Sequence, residues 1–414
     1  MTAPQGSAHA PRKPTSREMV LRLVSHHGSV TRAQLMDLSG LPRTTVYDAV
    51  AALVDSGAIT TALAAGDGRG RGRPVERLSL NPGRAQFLGI DFTRRATRVA
   101  LANDACQLMG VRGAEEPSTA GWQDRVRTAH RLARTLAGGS LGPGSVKGVG
   151  VGIGGPGAVR GVGVGGTGAV RGVGVGGTGA VRGVGVGGMG AARPGPEVEV
   201  AHLVRERFAA PVRVERGYRL AALGEATWGA AAGEPDLLSV SLSREVGGGL
   251  IQAGTLHRGP YATAGELGHV NVERENGRPC HCGGHGCLET VASSQAVLDR
   301  YHACGGLASD IADLAVAARN AEEAACRVLA ETGRAVGGVL AALANTFAPA
   351  VIVIGGALTR TGTALMDPLK RELHELVVPT VRPHLSLRAA TLGTTATACG
   401  AVALVAGTPA ANPA

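Results

Sequence analysis

The stretch CHCGGHGC, residues 280–287, constrains the fold more than any other part of the 414-residue sequence. It brings Cys280, Cys282 and Cys287 close together, and its glycines let the chain fold back around one ion. A disulfide would leave one of these thiols unpaired, a C-x-C bridge is strained, and seven cysteines is an odd number for a disulfide framework. The spacing therefore predicts a zinc site rather than disulfides or free thiols.

A tetrahedral zinc site needs a fourth ligand. His269 precedes Cys280 by eleven residues and can complete a Cys₃His set. His281 and His285 are alternative ligands, although each lies inside the cluster in a less convenient position. Four protein ligands leave no place for water, so the predicted zinc is structural.

Residues 16–82 follow the pattern of a winged helix-turn-helix domain, after a basic arm without periodicity at residues 1–15. Three helical patterns precede two short β-prone segments. In the third helix, RTTVYDAVAALVDSG, the apolar residues form one stripe and the opposite face carries Arg43, Thr44, Thr45 and Tyr47. We predict that this face enters the major groove of DNA. A small helical cap on a larger domain is the alternative interpretation.

The loop between the two β-prone segments, GRGRGRP, carries Arg69, Arg71 and Arg73 and resembles the core of an AT-hook. Arginines on such a thin backbone can enter a narrow minor groove. A solvated turn is the alternative, but the position of the loop as the wing favours DNA contact. Residues 1–84 hold eleven Arg and Lys against six Asp and Glu, about half of the net charge of +10.

From about residue 85 the sequence alternates β-prone segments with helical patterns, which predicts an α/β fold with parallel or mixed sheets. Four consecutive eleven-residue repeats at residues 150–193 interrupt this pattern. A solenoid is possible, but each copy is about half glycine and therefore costly to order. We expect the extra copies to form a flexible insertion.

The sequence shows no signal peptide and no apolar run long enough for a membrane span. We therefore expect a cytoplasmic protein.

The segments GELGH and CHCGGHGCLE together resemble the signature of the ROK family (repressors, open reading frames and sugar kinases). The family pattern is E-x-G-H followed by C-x-C-G-x-x-G-C-x-E, and the resemblance extends from about residue 86 to 406. It implies an actin-like (ribonuclease H-like) pair of α/β lobes with a cleft between them. It also implies zinc ligands at His269, Cys280, Cys282 and Cys287.

Family members with a winged helix-turn-helix in front are transcriptional regulators of sugar metabolism, and the resemblance implies a homodimer or homotetramer. The expected domains are the arm 1–15, the DNA-binding domain 16–82, a first lobe 85–200 that includes the repeats, a second lobe 201–388 with the zinc motif, and a C-terminal return to the first lobe at 389–414.

The residues that the family's kinases use for phosphoryl transfer are replaced. Where the kinases have D-x-G-G-T, this sequence reads DFTRR at residues 91–95, so the glycines that let a backbone approach phosphates are gone. The kinases also use an aspartate base in an E-N-D-A-N-like segment, and VERGYRLAALGE places Arg216 and Gly217 at the positions of Asn and Asp. We predict that the protein is not an enzyme.

The resemblance implies a ligand site at Glu266, His269 and Glu289. Carboxylates and an imidazole suit the vicinal hydroxyls of a sugar or sugar-phosphate effector. The loss of Asn and Asp removes two hydroxyl partners and weakens the expected discrimination. Alternatively, Glu266 and Glu289 only support the zinc loop.

The sequence thus predicts a sugar-responsive repressor of carbohydrate metabolism that binds double-stranded operator DNA. Two alternatives remain: an ATP-dependent hexose kinase with an appended DNA-binding module, and a constitutive DNA-binding protein whose C-terminal body is purely architectural.

Overall fold

The computed structural model describes residues 15–55, 58–63, 76–80, 86–103, 106–139, 141, 144–154, 196–259, 262–275 and 277–407. The predicted arm, apart from its last residue, lies outside this part of the chain. The same holds for Arg69, Arg71 and Arg73 and for the repeats beyond residue 154.

The N-terminal domain has the predicted winged helix-turn-helix fold. Its helices are α1 (Ser16–His27), α2 (Arg32–Ser39) and α3 (Arg43–Asp55), and its sheet has the order β1-β3-β2 with β1 (Ser29–Val30), β2 (Ile59–Leu63) and β3 (Glu76–Leu80). Thr31 caps α2 through a capping box with Gln34, and Gly40 ends the helix with φ 64°. These caps fix the sharp turn that leads into α3.

One apolar stripe holds α3 against the rest of the domain. Its buried residues are Val46, Ala49, Val50 and Leu53, which share a core with α1. Because the stripe uses helical spacing, residues 43–45, 47 and 48 are left on the opposite side.

The first lobe is built on a five-stranded mixed sheet of order β6-β5-β4-β7-β8. β4 pairs antiparallel with β5 and parallel with β7. The strands are β4 (Phe87–Phe92), β5 (Ala96–Ala102), β6 (Leu108–Glu115), β7 (Gly148–Ile153) and β8 (Val212–Arg216). β8 lies in the range 201–388 that the sequence assigned to the second lobe, but its parallel pairing with β7 makes it an edge of the first sheet.

Helices cover both faces of this first sheet. On β5, Val99 and Leu101 pack with α4 (Trp122–Leu136), whereas Ala100 and Ala102 pack with α12 (Ala396–Ala406). The alternation follows from the two-residue repeat of a strand. α5 (Pro196–Phe208) packs beside α4.

The second lobe is built on a mixed sheet of order β11-β10-β9-β12-β13. In this sheet β9, β12 and β13 are parallel, and β10 pairs antiparallel with both of its neighbours, β9 and β11. The strands are β9 (Leu237–Leu242), β10 (Val246–Gln252), β11 (Thr255–Leu256), β12 (Val351–Gly355) and β13 (Ser386–Ala389). The α-helices between residues 285 and 380 are α7 (Glu289–Ala292), α8 (Ser294–Ala303), α9 (Ile311–Arg319), α10 (Glu323–Phe347) and α11 (Thr363–Leu376).

Two helices join the lobes. α12 packs on the first sheet, and α6 (Gly217–Trp228) packs on β9 and β10 of the second. They cross closely because glycines remove side chains at the contact: a Cβ at Gly400 would lie 1.7 Å from the Leu220 carbonyl oxygen. Two mixed sheets joined in this way agree with the expected actin-like lobes.

The N-terminal domain is packed directly against the first lobe. α1 contacts β6, and the residues buried in both units form one continuous core. At the end of α1, a Cβ at Gly28 would lie 3.4 Å from the Thr135 Cγ2 atom of α4. Across the described ranges, the helices are all too short or too polar to cross a membrane.

Candidate metal centre and interlobe cavity

His269, Cys280, Cys282 and Cys287 come together as a four-donor cluster in which all ligand atoms lie within 4.8 Å of one another. The Cys282 and Cys287 sulfurs are 3.6 Å apart, and Cys280 Sγ is 3.6 Å from His269 Nδ1. A tetrahedral zinc with ordinary bond lengths places two sulfurs about 3.8 Å apart and a sulfur and a nitrogen about 3.5 Å apart. The cluster therefore has the donors and the spacing of a zinc site.

The loop that carries these donors is folded back on itself by two isolated β-bridges, Asn271 with Cys287 and Pro279 with His285. Gly286 sits at the turn with φ 67°, where a Cβ would lie 2.0 Å from the Glu273 carbonyl oxygen. A side chain at this position would therefore force the two arms of the loop apart.

The environment acts in opposite directions on two of the thiols. Burial raises the pKa of Cys287 to about 12, whereas a hydrogen bond from the Gly284 N–H lowers the pKa of Cys282. A bound zinc ion would hold the cysteines as thiolates and close the loop. The Nδ1 atom of the alternative ligand His281 lies 3.1 Å from Glu289 Oε1 and 3.9 Å from Cys280 Sγ.

The predicted effector residues are also brought together. Glu266 immediately precedes the 3₁₀ turn Leu267–His269, and Glu289 begins α7 beside it, since a Cβ at Gly268 would lie 3.1 Å from Glu289 Oε2. The carboxylates are engaged by the protein itself. The Glu289 side chain accepts a hydrogen bond from the Val246 N–H at 3.0 Å and contacts His281.

Glu266 is engaged from the β8–α6 junction, residues 215–219. The Tyr218 hydroxyl donates to Glu266 Oε1 at 2.6 Å, and the Arg216 guanidinium lies 3.5 Å from the same oxygen. Burial and this hydrogen bond raise the pKa of Tyr218, so the phenol remains a donor at ordinary pH. The Tyr218 ring has room because a Cβ at Gly247 would lie 2.5 Å from it.

The β8–α6 junction also holds a buried cation that the sequence analysis did not identify. Arg219 is 1% exposed, contacts Glu215 at 3.3 Å, and donates to the Ala262 carbonyl at 2.8 Å. Arg258 donates to the other oxygen of Glu215 at 2.7 Å. The one sequence signal for this pair is the four-residue spacing of Glu215 and Arg219.

Between the lobes lies a cavity of about 780 Å³, named here the interlobe cavity. The first lobe contributes the β4–β5 turn, residues 93–95, and part of α4, and the second lobe contributes the β9–β10 turn, residues 243–245. Gly217 and Tyr218 line it from the β8–α6 junction. Gly217 has no side chain, so the position of the expected base presents no carboxylate to this cavity.

Arg125 fixes the shape of the β4–β5 turn. Its guanidinium, 6% exposed, donates to the carbonyls of Thr93 and Arg94 and approaches Glu116 at 3.7 Å. Asp91 lines the same cavity with Arg98 at 3.8 Å. Burial outweighs the attraction of Arg98 and raises the pKa of Asp91 to about 7.

On the N-terminal domain, the outward face of α3 carries the four residues that the sequence placed there. Arg43, Thr44 and Tyr47 are exposed and Thr45 is half-buried. The Tyr47 ring has two guanidinium groups over it, Arg32 and Arg43, each 5.2 Å from the ring centroid. Arg32 also pairs with Glu76 on β3, which ties this face to the sheet.

Comparison with known proteins identifies the protein family that the chain matches. The model of the ROK family matches residues 165–408. A Halalkalibacterium halodurans glucokinase is 36% identical over 214 residues, which cover 48% of this chain and 64% of that enzyme. A Caldicellulosiruptor protein named as a candidate xylose repressor is 24% identical over 413 residues, 96% of each chain.

Among solved structures, a ROK family transcriptional regulator that is a homologue of the Escherichia coli MLC protein has a similar fold. The TM-score is 0.60 at 23% identity, and the match covers 95% of this chain and 96% of that one. The fold similarity therefore includes the N-terminal domain as well as the two lobes.

Proposed function

We propose that this chain, which belongs to the ROK family, is a sugar-responsive, DNA-binding transcriptional repressor without kinase activity. The observation that carries the proposal is the order of its parts, a winged helix-turn-helix in front of a two-lobed body. The Caldicellulosiruptor protein aligns with both parts, whereas the glucokinase aligns with only 48% of the chain. A cytoplasmic homodimer or homotetramer with a structural zinc in each chain belongs to the same proposal.

The exposed face of α3 would contact DNA. Arg43, Thr44, Thr45 and Tyr47 lie at or near the start of the helix, the part that reads base edges in helix-turn-helix proteins. Arg43 gives this face positive charge next to the ring of Tyr47, which suits phosphates and thymine methyl groups. In this proposal Arg69, Arg71 and Arg73 read the adjacent minor groove.

Effector binding would reach the DNA through the first lobe. The effector is proposed to bind at the cleft between the lobes, close to Glu266, His269 and Glu289. The shared core of α1 and the first lobe would carry a change in lobe orientation to the recognition helix. The coupling would be reciprocal, so operator DNA should change effector affinity by the same factor.

DNA binding can be tested by selecting ligands for the purified full-length protein from a random duplex library. Substitution Arg43→Ala should weaken binding to the selected duplex about tenfold, since a base or phosphate contact is worth about 1–3 kcal/mol. Arg319→Ala is the matched control, because Arg319 is an exposed arginine on α9 of the second lobe. A protein that enriches no sequence over bulk competitor DNA contradicts the proposal.

A hexose kinase with an appended DNA-binding module is the second candidate, and the 36% identity to a glucokinase favours it. Against it, Gly217 offers no base, and the β4–β5 turn carries arginines where a phosphate-binding backbone needs glycines. A coupled ATP assay over a panel of hexoses decides the question. Turnover above background, lost on heat denaturation, would replace the repressor proposal with the kinase.

A further inference from the structure

The loop that carries the four metal donors also holds a second group of donors. Cys280, His281 and Glu289 offer a sulfur, a nitrogen and an oxygen that all lie within 4.8 Å of one another. The His281 Nδ1 atom is 3.9 Å from Cys280 Sγ and 3.1 Å from Glu289 Oε1. A tetrahedral zinc places a sulfur and a nitrogen about 3.5 Å apart, and a nitrogen and an oxygen about 3.3 Å apart. Both separations are therefore close to those around one zinc ion.

Cys280 belongs to both groups of donors. Its sulfur lies 3.6 Å from His269 Nδ1 and 3.9 Å from His281 Nδ1. The two imidazole rings are separate neighbours of this sulfur, with centroids 5.1 Å apart and an angle of 73° between their planes. A zinc ion in the four-donor cluster would hold Cys280 as a thiolate. A thiolate keeps further lone pairs after it binds one metal, so its sulfur can bridge to a second ion.

Glu289 is positioned as a carboxylate ligand commonly is, with one oxygen fixed by the protein. Its Oε2 atom accepts a hydrogen bond from the Val246 N–H at 3.0 Å, and Oε1 is the oxygen beside His281. Within the described ranges, no lysine or arginine side chain pairs with Glu289, whereas Glu266 has Arg216 at 3.5 Å. The His281 side chain is 48% exposed, so this group of donors is open to solvent.

We propose that Cys280, His281 and Glu289 bind a second zinc ion beside the structural one, with the Cys280 thiolate bridging the two metals. Zinc accepts a mixed set of sulfur, nitrogen and oxygen donors, whereas Mg²⁺ and Ca²⁺ prefer oxygen alone. Three protein ligands leave the fourth position to water. The second ion therefore binds more weakly than the first and is lost in metal-free buffer. Any effect of this ion on effector binding through Glu289 rests on the function proposed above, whereas its binding does not.

Equilibrium dialysis of the full-length protein against increasing free zinc tests the stoichiometry. Protein purified in metal-free buffer should start at one zinc per chain and saturate at two, as measured by mass spectrometry of the metal. A large excess of Mg²⁺ should leave the second zinc in place. Saturation at one zinc per chain overturns the proposal, and so does displacement of the second ion by Mg²⁺, because the donors would then be oxygens.

Cobalt shows whether sulfur holds the second ion. Co²⁺ added to protein that carries one zinc per chain should give a thiolate-to-cobalt charge-transfer band in the near ultraviolet, because Cys280 would bond to it. The zinc content of the same sample should stay at one per chain, which shows that cobalt has not replaced the first ion. Stoichiometric cobalt binding without this band overturns the bridging role of Cys280.

His281→Ala should keep the first zinc and weaken binding of the second ion at least about tenfold, because one of its three protein ligands is lost. Glu289→Gln should have the same effect. His285→Ala is the matched control, since His285 is an exposed histidine of the same loop that belongs to neither donor group, and it should keep both ions. Full affinity for the second ion in His281→Ala, or loss of that ion in His285→Ala, overturns the assignment.

Discussion

The loop that carries the four metal donors, residues 266–289 and called here the zinc loop, meets the β8–α6 junction at Glu266. The two regions differ in which substitutions each tolerates. In the zinc loop, four donors lie at the separations of a tetrahedral metal, so loss of one donor removes the site. At the junction, β8 leads directly into α6 with Arg216 and Gly217 at the connection, where the resemblance to the family's kinases implies Asn and Asp. Metal geometry restricts the identity of all four donors, whereas packing at Gly217 restricts only residue volume.

The largest expected effect on stability comes from removing one of the four metal donors. Cys287→Ser should abolish stoichiometric zinc and lower the free energy of unfolding by about 5 kcal/mol, because a structural metal contributes its binding energy to folding. Zinc content by mass spectrometry and urea unfolding measure the two effects. Cys304→Ser is the control, since Cys304 is exposed and outside the four-donor cluster. Full zinc content in Cys287→Ser would falsify the ligand assignment.

The second prediction concerns the pH dependence of stability that Asp91 causes; Asp91 lines the interlobe cavity next to the junction. Because its pKa is raised from 3.8 to about 7, the folded protein keeps a proton that the unfolded chain loses between about pH 4 and pH 7. This group therefore lowers stability as pH rises through that window, by up to about 4 kcal/mol, and contributes a constant loss above it.

Asp91→Asn removes this dependence, since the amide stays neutral while Arg98 remains opposite it. The variant should be more stable than the unsubstituted protein at pH 8 and should approach it near pH 4, as measured by urea unfolding at several pH values. Asp367→Asn, at an exposed position of α11, is the control and should leave the pH profile unchanged. Parallel profiles for Asp91→Asn and the unsubstituted protein would contradict the burial argument.

Tyr218→Phe gives a smaller effect at the junction itself. It removes the hydroxyl that donates to Glu266 at 2.6 Å but leaves Arg216 as a partner, so the loss should be about 1 kcal/mol. Zinc content should remain one per chain. Tyr301→Phe is a matched control, because Tyr301 donates to Glu322 at 2.7 Å in the same way but far along the chain. Loss of zinc in Tyr218→Phe would mean that the junction and the metal loop depend on each other.

Gly217→Ala should have the smallest effect. A Cβ there would lie 3.7 Å from Thr397 Cγ2, an ordinary contact, and alanine favours a helix, so stability should change by less than about 1 kcal/mol. Gly265→Ala is the contrasting control, since its Cβ would lie 1.9 Å from the Gly248 carbonyl oxygen at φ +91°. Thermal unfolding compares the two. Equal destabilisation would show that the junction is as restricted as its surroundings.

Sequence patterns predict the elements whose spacing is regular. The segment WQDRVRTAHRLARTL coincides with α4, and the apolar stripe of α3 places its outward face where the structure has it. The donor set of the metal cluster is also predictable, because thiols at short spacing have few other uses. These predictions depend on local information alone.

Other features depend on contacts between distant segments. β10, VGGGLIQ, has three glycines and no strand pattern, and it is a strand because those glycines admit Tyr218 and neighbouring groups. The contact of Tyr218 with Glu266 joins residues 48 apart in the chain, and no spacing rule predicts it. The interlobe cavity likewise requires turns from two sheets, so its charge cannot be read from one segment.

The packing of α1 against the first lobe limits how the N-terminal domain can move. Because α1 contacts β6 and its buried residues belong to the core of the first lobe, the N-terminal domain is anchored to that lobe. A rotation of the first lobe would therefore carry α3 with it. A flexible linker inserted after residue 80 would leave the contact between α1 and the first lobe intact. A polar residue in place of the buried Val24 would destabilise that contact.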